Sequence, residues 1–254
     1  MFSIILSVVK FELARSLTPG RLAIWFLLVG FPIVLIGMLR LNGIGQGAGE
    51  FWGIRLYFLC PEVLCLLALL LWATPVVSTE IEGQTWGYLA MRPSGRCEVI
   101  LGKFLTAVIW SVSATLVSVT ACVALLGARG GFKLWVVMCL LCVISSLAHA
   151  ALYLLIGVLF HRRTIVTAVF YTGAVEYGLS FVPAVANKLT INYRLRGLLS
   201  NWMDWEAVRS RAENVFGSEP SSIHLGVLML MTVTLLGLAI AKVMYSQFPT
   251  QQEG

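Results

Sequence analysis

The stretch LWVVMCLLCVISSLAHAALYLLIGVLF, residues 134–160, contains no Asp, Glu, Lys or Arg, and His149 is its one basic side chain. The hydrocarbon core of a bilayer is about 30 Å thick, and a helix of about 20 mostly apolar residues crosses it. A helix can do so because its backbone hydrogen bonds all close within the segment. This run is long enough and apolar enough to span. Outward from it, similar runs lie at roughly 21–39, 56–78, 99–126, 164–186 and 223–246, each bounded by Arg, Lys or turn residues. The pattern predicts an all-α integral membrane protein that crosses the bilayer about six times.

Composition supports this class. Of 254 residues, 59% are hydrophobic and 12% are charged, with a mean hydropathy of +0.89. Soluble domains carry roughly 45–50% apolar and about 25% charged residues, so this chain has too few polar side chains to cover a globule. Six spans use about half its length and leave no room for a second domain of ~100–150 residues. The expectation is a single transmembrane domain over residues 1–254. The net charge of +6 comes from basic residues standing singly at helix ends. That arrangement suits headgroup phosphates and membrane lipid, and it argues against a nucleic-acid patch.

The connections are readable too. In residues 1–18, Ser3, Ser7 and Lys10 form a polar stripe opposite Ile4, Ile5, Val8 and Phe11. This is the spacing of a helix lying in the membrane interface, ended by Thr18-Pro19-Gly20. Lys10, Glu12 and Arg15 interrupt the first apolar stretch, so no cleavable leader is expected and the first span serves as the insertion signal. Asn42 to Gly53 is a connection, Gly127 to Gly131 makes a tight hairpin, and His161-Arg162-Arg163 is the sole break between the fourth and fifth spans. Residues 187–222 form a long polar loop before the sixth span. Within it an amphipathic helix is expected near 201–216, with Trp202 and Trp205 at the interface, and a soluble cap is the alternative.

Cysteines and buried charges supply the remaining candidates. Cys60, Cys65, Cys122, Cys139 and Cys142 lie in apolar runs, and Cys97 does not. Cys139 and Cys142 form a CxxC, but no second ligand pair accompanies it, so packing is the expected role and no metal is. Glu62, Glu176 and His149 are ionisable groups in the spans, where charge is costly. Glu62 follows Pro61 and reads as interfacial, near the outer end of span two. Glu176 can pair with His149, line a substrate path or sit protonated in the bundle. His149, near Ser145 and Ser146, reads as an interhelical hydrogen-bond partner. These groups are too few and too scattered to make an intramembrane enzyme.

The polar link between spans two and three is STEIEGQTWGYLAMRPSGRCEVILGK, residues 78–103. Thr79 can cap a helix whose first turn holds Glu80 and Glu82, where the helix dipole favours acids. Pro93-Ser94-Gly95 ends that helix, and Glu98 to Lys103 starts the next span. A short helix along the membrane surface with acidic, aromatic and basic groups facing water is suited to docking a soluble partner.

This link resembles that of the permease subunits of the ABC-2 family, the six-span membrane halves of ATP-driven transporters. Their pattern runs approximately Glu-x-Glu-x-Gly-Thr-x-Glu, then Leu, Pro and Ser-Arg, then Glu-Ile-Leu-x-Gly-Lys. Here it is carried by Glu80, Glu82, Gly83, Thr85, Leu89, Pro93, Ser94, Arg96, Glu98, Ile100, Leu101, Gly102 and Lys103. Gln84 is an extra residue before Thr85, and Gly87 stands where the later acid is usual.

The resemblance implies that residues near 79–92 form a cytoplasmic coupling helix within a 79–98 coupling loop. Glu80, Glu82, Gly83, Thr85, Trp86, Tyr88 and Arg92 would then contact an ABC ATPase subunit, present in two copies. It also implies a second permease copy as homodimer partner, export of a substrate, and residence in the cell inner membrane with both termini cytoplasmic. Basic-residue counts do not orient the chain: each face receives nine of the 18 Lys and Arg. No G-x-x-x-x-G-K-[ST] phosphate loop occurs. No catalytic residue or cofactor is therefore expected on this chain, and ATP and Mg belong to the partner. The other reading is a membrane scaffold or assembly factor that binds a soluble partner through the 79–103 helix.

Overall fold

The computed structural model describes residues 2–43, 49–76, 95–127, 131–160, 163–179, 185–205, 213–217 and 219–245, and every secondary-structure element among them is helical. Helix α1 (Phe2–Ser16) leads into α2 (Pro19–Leu41). The turn between them is set by Thr18, whose extended backbone and hydroxyl cap α2 by accepting the Arg21 N–H, with Pro19 in the first turn. Helix α3 (Gly49–Tyr57) runs through a π-helical stretch, Phe58–Leu64, directly into α4 (Cys65–Trp72). Pro61 lies inside the π turn. It has no N–H to donate and its ring crowds the preceding turn, which the wider winding accommodates.

Helices α5 (Gly95–Leu126) and α6 (Gly131–Leu159) form the hairpin expected from the glycine-rich break. Gly127 and Gly131 at its two ends have φ of 62° and 64°, a left-handed backbone that suits glycine. Helix α7 (Thr164–Tyr171) continues as a second π-helical stretch, Thr172–Gly178. A 3₁₀ turn at Val185–Leu189 precedes α8 (Ile191–Met203), which is followed by the short α9 (Glu213–Phe216) and by α10 (Ser221–Tyr245).

Five described helices are long and apolar enough to cross a bilayer: Pro19–Leu41, Glu50–Trp72, Gly95–Leu126, Gly131–Leu159 and Ser221–Tyr245. The chain is an all-helical, multi-pass membrane protein. Over the sixth stretch expected, 164–186, the chain is helical at Thr164–Gly178, and residues 180–184 lie outside the described ones. Helix α6 is the hub, packed against α4, α5, α8 and α10. By contrast α2 and α10 turn large apolar side chains outward, among them Phe26, Leu27, Leu230 and Val233. An outward apolar face is what lipid requires.

One sequence boundary needs correction. The helix that holds span two begins at Gly49, ahead of the expected 56, so Arg55 lies inside it rather than at its end, with its guanidinium 3.6 Å over the Phe51 ring of the same helix. In the 187–222 segment a helix runs over Ile191–Met203, ahead of the stretch expected, while of residues 201–216 the ends 201–203 and 213–216 are helical and 206–212 lie outside the described residues. Helix α8 is not a surface element, since all residues from Ile191 to Ser200 are buried. Trp205 is buried and Trp202 packs on the core, so neither marks an exposed amphipathic face.

The cysteines behave as packing residues. All six are free thiols, and Cys65 Sγ meets Ser146 Oγ at 3.3 Å and Ser111 Oγ at 3.5 Å, a small polar seam joining α4, α5 and α6. Among the described residues no cluster of His, Cys, Asp or Glu could hold a metal ion.

Candidate functional site

Helix α8 does not have the composition of a membrane core, for Asn192, Arg194, Arg196 and Asn201 all lie on it. Its position depends on partners that other helices bring. Arg196 and Glu62 are both fully buried and meet at two points, Nη2 to Oε1 at 2.5 Å and Nε to Oε2 at 3.3 Å. Glu62 sits in the π turn between α3 and α4, 12 residues from Glu50 and 10 from Trp72. At ~1.5 Å per residue it is near the middle of that helix. Glu62 is thus fully buried near the middle of its helix, not near the helix end where the sequence reading put it. The misplaced start of span two moved it outward, and its countercharge lies 134 residues away in sequence.

Glu176 occupies the other π turn and points at the start of α8. Its carboxylate accepts the backbone N–H of Asn192 at 3.1 Å and of Ile191 at 3.4 Å. An acid at a helix N-terminus satisfies amides that have no partner within the helix and complements the dipole. Thr190 adds a conventional cap by accepting the Tyr193 N–H. The expected proximity of Glu176 and His149 is present, with Nε2 4.0 Å from Oε2 and both side chains buried. His149 is fixed from the other side. The Ser145 hydroxyl donates to the Pro61 carbonyl at 2.6 Å, and His149 Nδ1 lies 3.1 Å from that hydroxyl and 3.0 Å from the Ser145 carbonyl. The Nδ1–H thus faces Ser145, and Nε2 is turned toward Glu176.

A third carboxylate holds the far side of α8. Glu219 pairs with Lys188 at 2.9 Å and Arg194 at 3.8 Å, and accepts the Tyr193 hydroxyl at 3.2 Å. Its main-chain carbonyl accepts from the Asn201 amide at 3.0 Å. Burial alone would raise the Glu219 carboxyl, but Lys188, Tyr193 and Arg194 together hold it below the ordinary carboxylate range. Gly197 lets α10 come close, because a Cβ there would fall 2.3 Å from the His224 ring. Glu62, Glu176 and Glu219 thus clamp one polar helix inside an apolar bundle.

A second assembly forms where α1 meets the start of α5. Gly102 faces Val8, and a Cβ would come within 2.5 Å of Val8 Cγ1. Lys103 Nζ pairs with Glu12 Oε1 at 3.2 Å, and Trp110 Nε1–H donates to Ser16 Oγ at 2.8 Å. Glu98 is buried on the same helix. Glu98, Gly102 and Lys103 belong to the end of the 78–103 link. Residues 77–94 fall outside the described residues, and with them Glu80, Glu82, Gly83, Thr85, Trp86, Tyr88 and Arg92.

Glu176 and His149 stand out in the sequence as candidates, whereas Glu62 is misplaced there. Arg196 and Glu219 escape as site residues because they lie in a stretch that reads as a loop. The one signal for them is arginine inside a segment with apolar periodicity. No family model and no curated protein matches the chain.

Proposed function

We propose that the chain is the membrane-spanning permease subunit of an ATP-driven ABC exporter, with ATP hydrolysed by a separate cytoplasmic ATPase. The observation that carries this reading is the seam between α1 and α5. The 78–103 link that resembles a coupling segment ends in Glu98, Gly102 and Lys103, and two of these dock α1 onto the third span through Val8 and Glu12. A mechanical input at residues 79–92 would thus enter a body made of α1 and α5, and α5 packs on the hub helix α6. On this reading the segment and both termini face the cytoplasm, and two such chains meet two ATPases. Coupling of this kind needs a bundle that moves as a unit, and the clamp on α8 supplies internal rigidity.

The test is reconstitution of the purified chain with the ATPase it retains, in bilayers, followed by measurement of ATP hydrolysis across candidate cargoes. The reading expects hydrolysis to depend on the membrane subunit and to respond to a cargo. A soluble partner bound through residues 79–103 without nucleotide turnover would instead favour a scaffold.

A further inference from the structure

The buried acids around the start of α8 outnumber the cations that answer them. Glu62 and Arg196 close on each other at two points and form a neutral pair. Glu176 is a second acid in the same cluster, its side chain 1% exposed. The charged groups acting on it are Glu62, which repels a negative charge there, and Arg196, which Glu62 already holds. Its other titratable neighbours are the phenols of Tyr57 on α3, Tyr153 on α6, and Tyr171 and Tyr177 on its own stretch, together with the His149 imidazole. His149 lies 10 residues, about 15 Å, from the end of α6 at Leu159, deep in a hydrocarbon core of about 30 Å. An unbalanced carboxylate at that depth is costly.

The contact between Glu176 and His149 calls for a proton. His149 Nδ1–H is turned to Ser145, which leaves Nε2 with a bare lone pair. Nε2 is buried without a hydrogen-bond partner among the described residues, yet it lies 4.0 Å from Glu176 Oε2. With Glu176 ionised, two acceptors face each other. One proton removes both mismatches: an Oε2–H donates to Nε2 and the cluster becomes neutral. Closing the gap by about 1 Å brings the two atoms into hydrogen-bond range.

The ionised state has partners as well. A Glu176 carboxylate keeps the Asn192 and Ile191 N–H groups at 3.1 and 3.4 Å, and the N-terminus of the 13-residue α8 favours negative charge. The imidazole thus serves the acid, while the amides and helix dipole serve the carboxylate. Glu176 also stands in a π turn, a winding frequent at functional sites.

We propose that Glu176 and His149 form a proton-binding site inside the membrane, with the proton on Glu176 Oε2, hydrogen-bonded to His149 Nε2 and exchanged reversibly with bulk water. Binding ties α6 to the π turn that follows α7, and release leaves the carboxylate to α8 alone. The site needs no ATPase and rests only on the buried cluster.

The test is infrared difference spectroscopy of the full chain in lipid nanodiscs, titrated with alkali and read at the C=O stretch of a protonated carboxylic acid. Wild type should show such a band at neutral pH, lose it as pH rises and regain it on back-titration. Glu176→Gln should abolish the band. His149→Phe removes the acceptor and should move the band to higher frequency, the mark of a lost hydrogen bond. Glu219→Gln, outside the pair, should leave it unchanged. Absence of the band from wild type, which needs no variant to fold, overturns the proposal. So does a band that survives in Glu176→Gln, or one at the same frequency in His149→Phe. A band that persists until alkaline unfolding would mean a permanent proton and would overturn the exchangeable site.

Discussion

Arg196 and Glu62, separated by 134 residues in sequence, form a two-point ion pair with no solvent exposure on either side chain. A pair of this kind contributes little net stability against a hydrophobic replacement, but loss of one partner strands a buried charge, at a cost of about 3–5 kcal/mol. Arg196→Met or Glu62→Leu alone should therefore lower thermal stability in detergent severely. The double variant should recover much of the loss. Additive losses would mean that the two groups are not coupled.

Glu176 acts on the helix next to it. If its carboxylate caps α8, Glu176→Leu should raise hydrogen exchange at the amides of Ile191 and Asn192 first, and destabilise the helix by about 1.5–3 kcal/mol. Glu176→Gln, which keeps an acceptor oxygen, should lie between wild type and the Glu176→Leu variant. Unchanged exchange at 191–192 would rule out the cap.

The seam between α1 and α5 depends on a missing side chain. At Gly102 an added Cβ meets Val8 at 2.5 Å, so Gly102→Leu should displace α1 and cost about 1–3 kcal/mol from overpacking. A pair of cysteines introduced by Glu12→Cys and Lys103→Cys reports the displacement. The pair should crosslink while Gly102 is kept and fail to crosslink once Gly102→Leu is added. Shrinking the neighbour with Val8→Ala should restore part of the crosslinking. Equal crosslinking with and without Gly102→Leu would show that the close approach at Gly102 does not set the seam.

Acid should loosen the Glu219 end of α8. Because the folded protein holds this carboxyl below its ordinary range, its contribution is complete above the unfolded pKa and is lost as pH falls through the lower folded value. Stability should decline on acidification below the normal carboxylate range, and Glu219→Gln should flatten that decline. A variant with the same acid limb as wild type would assign the effect to other groups.

The division between legible and hidden features follows from range. Apolar runs and the glycines at 127 and 131 act locally, so the membrane class and the α5–α6 hairpin could be read directly. The nearness of His149 and Glu176 was open to reading because both lie in apolar stretches where a charge seeks a partner. Arg55 misled because arginine usually marks a span end, and here it stacks on Phe51 inside the helix. Helix α8 was hidden because its burial depends on carboxylates from residues 62, 176 and 219. No window of sequence around Arg196 contains all three.

The most direct test of the permease assignment is affinity purification of the tagged chain from its native membranes, beside a Glu80→Lys, Glu82→Lys variant. The assignment predicts that wild type retains a P-loop ATPase and that the variant loses it while its membrane insertion and thermal stability are unchanged. Recovery of no ATPase by wild type, or equal recovery by both proteins, would contradict it.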